Sequence, residues 1–515
     1  MNRKNRPNRP IRPTHAPVVL YIHPAKQGVD FRPTGSAPMG RPYGLIPVGV
    51  AALVNVLRQE GIQVRGINLP LEKQRDPAFD LTAWLRHHAD ARIVLIDMHW
   101  YEHTYGAISV AQAVKQALPR AWTVLGGLTA TAFARDILTH FDQVDFVIKG
   151  DAEKPLLDLS RRLLQPQRNL TLVPNLVYRQ DGRTVENETG YCAATADLDR
   201  LDFVDIEFLE HVDEYYVHEY IVTDLHVARS AADKSRFRGR WLCNARGCKY
   251  NCAYCGGCKS AHKILAGRDG IVPRSPARMI EDLKRLVEKR IIQASMTYDL
   301  AELGEPYWRE FFDRLRHSGV KIGLYNEFFQ LPPHEFVDTF ADHVDRDQSC
   351  VALSPLSGSE HVRRLNGKSY SNDELLATLE RLKAHNLSIF VYFSLNLPGE
   401  NQDTMQESIA LARRIADMYP HNRLKILTSS HTIDPLCPMS REPDHYGIQV
   451  EMTSFMDFYT YCRATQRVDE QARTEAHRGF RPADPQARSL AHMADMWDAA
   501  RTDYQDCWWP VPPGW

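Results

Sequence analysis

Two successive series of short apolar runs, each run separated from the next by a helical stretch, constrain this chain more than any other feature. In the first series "PVVLYIH" (17–23), "VRGIN" (64–68), "RIVLID" (92–97), "WTVLGG" (122–127) and "VDFVIKG" (144–150) read as buried strands. Between them lie helical patterns such as "PVGVAALVNVLRQEG" (47–61), stopped by Gly61, and "DLTAWLRHH". Strands alternating with helices of this length return by right-handed crossovers, which predicts an α/β domain over 16–165 with a doubly wound, Rossmann-like parallel sheet. Ligands of such sheets bind at the carboxyl ends of the strands. There Gly126 and Gly127 would either let the backbone approach a nucleotide or simply make a tight turn.

The second series runs over 236–445. "RWLCNA" opens it, "SPARMIEDLKRLVEK" follows as a helix capped by Ser275 with Pro276 in its first turn, and strands recur at "IIQASMT", "KIGLYN", "SCVALS", "SIFVYFSL" and "RLKILT". Six strand–helix units predict a partial (β/α)6 TIM-like barrel with its working face at the strand C-termini. Residues 166–235 read as a polar, acidic linker with a hairpin turning at Asp181-Gly182. Residues 446–515 read as a small, mainly helical region with an aromatic, Pro-rich tail, and residues 1–15 as a disordered basic arm.

Lys and Arg number 63 against 64 Asp and Glu, a net charge of −1, which provides no field to hold nucleic acid or an anionic membrane. No apolar run approaches the roughly 18 residues of a spanning helix, and the N-terminus has no signal-peptide core, so a cytoplasmic protein with small-molecule partners is expected. Of ten cysteines, five fall between Cys243 and Cys258, a clustering that suits metal or redox chemistry rather than disulfides.

The stretch "RGCKYNCAYCGGC" (246–258) places Cys248, Cys252 and Cys255 as C-x3-C-x2-C just beyond the first barrel strand. Three thiolates do not by themselves complete a tetrahedral zinc site. Three thiolates on a four-iron, four-sulfur cluster leave one iron open to a substrate or cosubstrate. This spacing and position resemble the radical S-adenosylmethionine (radical SAM) superfamily. The resemblance implies that S-adenosylmethionine chelates the open iron and that Tyr254, just before the third cysteine, lies by its adenine. Cys243 and Cys258 are either a fourth ligand or small buried hydrophobes.

"LGGLTATAF", "VDFVIKGDAEKPLLDL" and "PNLVYRQDGR", followed downstream by "SGSEHVRRLNGKSYSNDELLATLERLKAHNL", "NLPGENQDTMQESI" and "IDPLCPMSREPDHYGI", resemble cobalamin-dependent radical SAM enzymes over about residues 16–450. That resemblance implies a methyltransferase that carries a methyl group from S-adenosylmethionine via methylcobalamin to an unactivated carbon, or to phosphorus, of a small molecule. A flavodoxin or ferredoxin would serve as electron donor. The corrinoid tail would run beside Gly126, Gly127 and Thr129. The D-x-H-x-x-G motif of histidine-ligated corrinoids is absent after the first strand, where "YIHPAKQG" has no Asp two places before His23. "IDMHWYEH" puts Glu102 where the glycine would be needed, which leaves His99, Trp100 and His103 as candidates for the lower face of the cobalt.

At the fourth barrel strand "SPLSGSE" has Leu356 where many radical SAM proteins have a carboxylate. Ser354 and Ser357 could contact the ribose and Asp299 the amino group, or each could cap a strand end. The departure leaves room for an atypical methylase that does not cleave S-adenosylmethionine. A cobalamin-dependent cyclase or rearrangement enzyme is the runner-up. A corrinoid sensor would leave the three cysteines unexplained, and an RNA methylthiotransferase would bring a second cysteine set and a basic module that are absent.

Overall fold

A computed structural model describes residues 18–31, 44–165, 169–223, 235–465, 479–484 and 489–511. The segment expected to form a basic arm lies outside them. Among the described residues no helix is long and apolar enough to cross a membrane.

The first sheet consists of β1 (Val19–His23), β2 (Val64–Asn68), β3 (Ile93–Asp97), β4 (Trp122–Gly126), β5 (Phe146–Ile148), β6 (Leu176–Gln180) and β7 (Arg183–Glu186). Its order is β2-β1-β3-β4-β5-β6-β7. The first five strands are parallel, as the apolar runs predicted. Their side chains alternate between two cores: Val19 and Tyr21 of β1 face the layer that holds helices 49–59 and 153–164, whereas Leu20 and Ile22 face the layer of helix 104–117. A strand buried on both faces reads as a continuous apolar run for this reason. Chain direction across the sheet reverses between β1 and β3, and that switch point is where such sheets take their ligands.

The hairpin expected in a linker is part of this sheet. β6 pairs antiparallel with β5, and β7 with β6. Leu176 and Tyr178 enter one core and Val177 the other, so the hairpin's alternation satisfies both layers. The acidic stretch that follows also packs rather than spans. Phe203, Val204, Ile206 and Phe208 are buried, and Asp202 accepts two hydrogen bonds from Arg285 at 3.0 and 2.7 Å.

The second sheet is built from β8 (Gly239–Leu242) and, beyond the small antiparallel pair β9 (Ala245–Cys248) and β10 (Gly270–Pro273), from β11 (Gln293–Met296), β12 (Gly323–Phe328), β13 (Cys350–Leu356), β14 (Ser388–Ser394) and β15 (Leu424–Ser429). All six barrel strands are parallel and neighbour each other in chain order, the open barrel that six strand–helix units predicted. Ser275 Oγ accepts from Arg278 N at 3.3 Å and starts helix 276–288, with Pro276 in the first turn. Leu324, Phe328, Val351, Leu353, Val391 and Phe393 point outward to the helices, whereas Tyr325, Ala352, Phe390 and Tyr392 point into the lumen.

The C-terminal region divides between the two domains. Helix 455–465 inserts Phe455 into the first domain's core, and Phe458 packs 5.7 Å from Tyr101 and 5.6 Å from Phe133. A short antiparallel pair, β16 (Ile448–Val450) with β17 (Phe480–Pro482), flanks it. Farther on, Ile426 N donates to Cys507 O and Trp509 N to Ile426 O, so this segment bonds to the free edge of β15. Trp508 is fully buried there, 4.7 Å from Trp497. Trp508→Ala is expected to lower the unfolding free energy by about 3–5 kcal/mol, read by denaturant titration.

Candidate active site between the sheet edge and the barrel mouth

The cysteine loop hangs from β9. Gly247 has φ +90°, and a Cβ there would lie 2.1 Å from Gly270 O, so only glycine lets the two strands meet. Beyond the strand the loop folds on itself: Cys255 N donates to Cys252 O and Cys258 N to Cys255 O. Backbone N–H groups also point at sulfur, Tyr250 N to Cys248 Sγ at 3.4 Å and Gly257 N to Cys255 Sγ at 3.3 Å. Such donors stabilise a thiolate bound to metal. Burial pushes all three thiols up, and the neighbouring cysteines add to the effect, so three bare thiolates are disfavoured here without a cation.

Among the described residues, the one group of three or more His, Cys, Asp or Glu ligand atoms within 4.8 Å of one another is His421, Asp506 and Cys507, on the opposite side of the barrel. The sulfurs of Cys248, Cys252 and Cys255 do not all lie within that distance of one another. Cys243 and Cys258 are buried; Cys243 Sγ contacts Ala245 O and Cys258 Sγ contacts Ser260 Oγ.

Around the loop stand several side chains that the motif did not reveal. The Tyr254 ring lies 4.5 Å from that of His431, whose backbone N–H donates to Asn396 Oδ1 at 2.7 Å and whose C=O accepts from Asn396 Nδ2 at 2.8 Å. Burial lowers His431 to about 4, so it is a neutral ring at neutral pH. Together the two rings offer a platform for a planar group. Asp434 accepts from Gly256 N at 3.0 Å and anchors the loop to the end of β15. On the other flank, a Cβ on Gly367 would lie 3.0 Å from Cys252 Cα, and the buried Lys368 donates to Phe329 O. Lys368 places a cation near Cys252, whose thiol it helps to lower against the effect of burial.

Asp299 is buried and raised to about 7 by that burial. Its Oδ1 accepts from Ala301 N and Asn326 Nδ2 and its Oδ2 from Phe329 N, so it ties the ends of β11 and β12 together. Ser357 is turned away from the barrel mouth: it is fully buried, shares a hydrogen bond with Ser408 Oγ at 3.1 Å and accepts from Ser359 N. Ser354, half-buried on the lumen face of β13, has the more open hydroxyl of the two serines expected near the ribose. Leu356 has φ +69° beside a register shift in β13, a left-handed conformation costly for a branched residue, at the strand end where a carboxylate was missed.

At the first domain's switch point, His23 ends β1 and Asp97 ends β3. His23 Nδ1 lies 3.0 and 3.1 Å from the two Asp97 oxygens, and Tyr21 donates to Asp97 Oδ1 at 2.7 Å. A carboxylate–histidine pair therefore exists without the D-x-H spacing, assembled from two strands. Among the described residues, His23 Nε2 and both ring nitrogens of the buried His103 have no hydrogen-bond partner, and both Nε2 atoms converge on Gly44, where a Cβ would lie 3.1 and 3.3 Å from them. Burial lowers His103 well below the usual histidine range.

Gly127 is glycine for a packing reason: it has φ +116°, and a Cβ there would lie 2.7 Å from His99 Cα. Thr129 donates through N and Oγ1 to His99 O, so Gly127 and Thr129 brace the β3 loop. Gly126 has open space, with Ile148 O as nearest neighbour at 3.8 Å. The same brace leaves His99 half-buried, lowered by burial to about 4, and Trp100 40% exposed on the sheet edge.

A buried ion network clamps the two regions together. Asp151 and Glu153, just past β5, accept from Arg246 of β9, and Asp151 also accepts from Arg268, which leads into β10. Burial acts to raise Asp151, but Arg246 and Arg268 outweigh it and hold the carboxyl below its ordinary value. Its stabilisation is therefore full above the ordinary carboxylate pKa and is lost as pH falls through the lowered one. Asp151→Asn, which strands the buried Arg268, is expected to cost about 3–5 kcal/mol, measured by denaturant unfolding at neutral pH, with a smaller difference from wild type in acid.

Comparison with known proteins agrees with this arrangement. The family model of the B12-binding domain matches residues 41–160, and that of the radical SAM superfamily matches residues 245–412. Hopanoid C-3 methylase of Methylococcus capsulatus is 26% identical over 289 residues, 55% of this chain and 48% of that protein. Anaerobic magnesium-protoporphyrin IX monomethyl ester cyclase of Synechocystis sp. is 22% identical over 319 residues, 61% of this chain and 50% of that protein. The chain thus spans about half the length of these curated relatives. In fold it is similar to the radical S-adenosylmethionine methyltransferase TsrM of Kitasatospora setae, solved with cobalamin and a [4Fe-4S] cluster bound, with a TM-score of 0.62 at 14% identity over 86% of this chain and 84% of that one. With its cysteine loop on the barrel and a switch-point sheet clamped against it, the chain belongs to the radical SAM superfamily and carries a B12-binding domain ahead of its radical SAM domain.

Proposed function

We propose that this chain is a cobalamin-dependent radical SAM methyltransferase acting on a small molecule, at carbon or alternatively phosphorus. The observation that carries the reading is the clamp of Asp151 and Glu153 on Arg246 and Arg268, which holds the carboxyl edge of the first sheet against the cluster loop. When bound, the cluster supplies an electron, S-adenosylmethionine the methyl group and the corrinoid its carrier. The chain's own residues bind and orient. Cys248, Cys252 and Cys255 hold the cluster, Tyr254 and His431 offer a face to adenine, Ser354 a hydroxyl to the ribose, and Lys368 offsets thiolate charge. His99 and Trp100 would flank a bound corrinoid, and Gly126 would lie beside its tail. A flavodoxin or ferredoxin is the expected electron source.

Anaerobic incubation with hydroxocobalamin, reductant and methyl-labelled S-adenosylmethionine tests this reading. Label on the corrinoid together with S-adenosylhomocysteine is expected, and neither should form if the reading is wrong. Cys252→Ala is expected to abolish the cluster's visible absorbance and turnover; full activity in that variant would remove the cluster from the mechanism. The similarity to a cyclase keeps a rearrangement as the second reading, in which 5'-deoxyadenosine forms while no label reaches corrinoid or product.

His23 Nε2 is sealed beneath Gly44 and beside His103, so the bound corrinoid is expected to be base-off. His23→Ala should leave its visible spectrum unchanged, and a shifted spectrum would identify His23 as an axial ligand.

A further inference from the structure

The barrel lumen holds a carboxylate that the cofactor site does not use. Glu327 lies on β12 two residues beyond Tyr325, and the strand register sets it level with Ala352 and Phe390. It is solvent-exposed although it sits inside the barrel, as a group lining a hollow would be. Its Oε1 accepts from Tyr325 Oη at 2.8 Å, and among the described residues it has no ion-pair partner. The neighbouring cation, Lys368, is turned to Phe329 O, and Lys425, at Glu327's level across the barrel, is drawn down to Val222 O with its ammonium 4.0 Å from the Phe390 ring.

Aromatic rings surround this carboxylate. Trp241 of β8 stands 5.5 Å from Tyr325, Tyr325 6.2 Å from Phe390, and Phe390 6.2 Å from Tyr392. Trp241, Phe390 and Tyr392 remain only half-buried despite their place in a barrel core, so side chains do not fill the lumen. Small Ala352 beside Glu327 leaves room. Below, Ser295 pairs in register with both Trp241 and Tyr325, and among the described residues its buried hydroxyl has no hydrogen-bond partner. A carboxylate among π faces is attractive to one ligand charge, since ring faces and carboxylate both draw a cation while the rings repel an anion.

We propose that the lumen is the substrate pocket and that it takes a protonated amine, with Glu327 accepting from the ammonium and the rings of Trp241, Tyr325, Phe390 and Tyr392 flanking the adjoining apolar or planar part. The inference rests on the reading of the chain as an enzyme for a small molecule and adds its substrate class.

Phenethylamine, which joins an ammonium to a planar ring, and its neutral analogue phenethyl alcohol serve as probes. Calorimetric titration into the protein loaded with cluster and cobalamin is expected to show the amine binding ~10-fold or more tightly than the alcohol, the strength of a charge-assisted hydrogen bond. Glu327→Gln should remove that preference, and Tyr392→Leu should weaken the amine while leaving Glu327 in place. Equal affinity for the two probes, no amine binding by wild type, or a Glu327→Gln protein that weakens S-adenosylmethionine instead of the amine would each overturn the proposal. Label on the corrinoid without amine binding would overturn only this inference. Amine binding without label would instead overturn the methyltransferase reading.

Discussion

The ion network of Asp151 and Glu153 with Arg246 and Arg268 is the constraint on which the rest of this structure depends. Its two arginines stand on either side of the cysteine loop, and its two acids follow the last parallel strand of the first sheet. One set of charges thus fixes both the loop's base and the position of the sheet edge. Arg268 and Glu153 are nearly inaccessible to water in the assembled chain, so removing the partner of either would leave a buried charge unpaired, which is strongly destabilising. The contact of Gly150 with Ala266, where a Cβ would lie 3.1 Å from the alanine's, continues the same seam.

Much of the fold was legible in the sequence, because strands buried on both faces are continuous apolar runs and the helices between them carry caps such as Ser275. The hairpin at Leu176–Glu186 was seen as a hairpin but not as part of the first sheet, since local alternation says nothing about which edge a strand will join. The cluster loop was legible because its ligands lie within one short stretch. The pair of His23 and Asp97 was not, because its members lie 74 residues apart and meet only when β1 and β3 become neighbours. Lys368, His431 and Glu327 escaped for the same reason. The packing of Gly127 against the His99 backbone, which fills the space a Cβ would take, was not legible either, since β3 and β4 meet only in the fold.

The two cavities face different chemical demands. The switch-point edge presents neutral imidazoles, His99 and His103 among them, whose buried rings disfavour protonation. The barrel mouth gathers thiols, a lysine and a carboxylate within a largely aromatic wall.

The bond between Ile426 and residues 507–509 has a bearing on how the protein is made. An unpaired strand edge is a template for another strand, and during synthesis β15 emerges well before the segment that covers it. A nascent chain therefore passes through a stage in which the cysteine loop is complete while the sheet behind it still ends in open N–H and C=O groups. Until Trp508 and its strip dock, that edge remains open to pairing with a neighbouring chain.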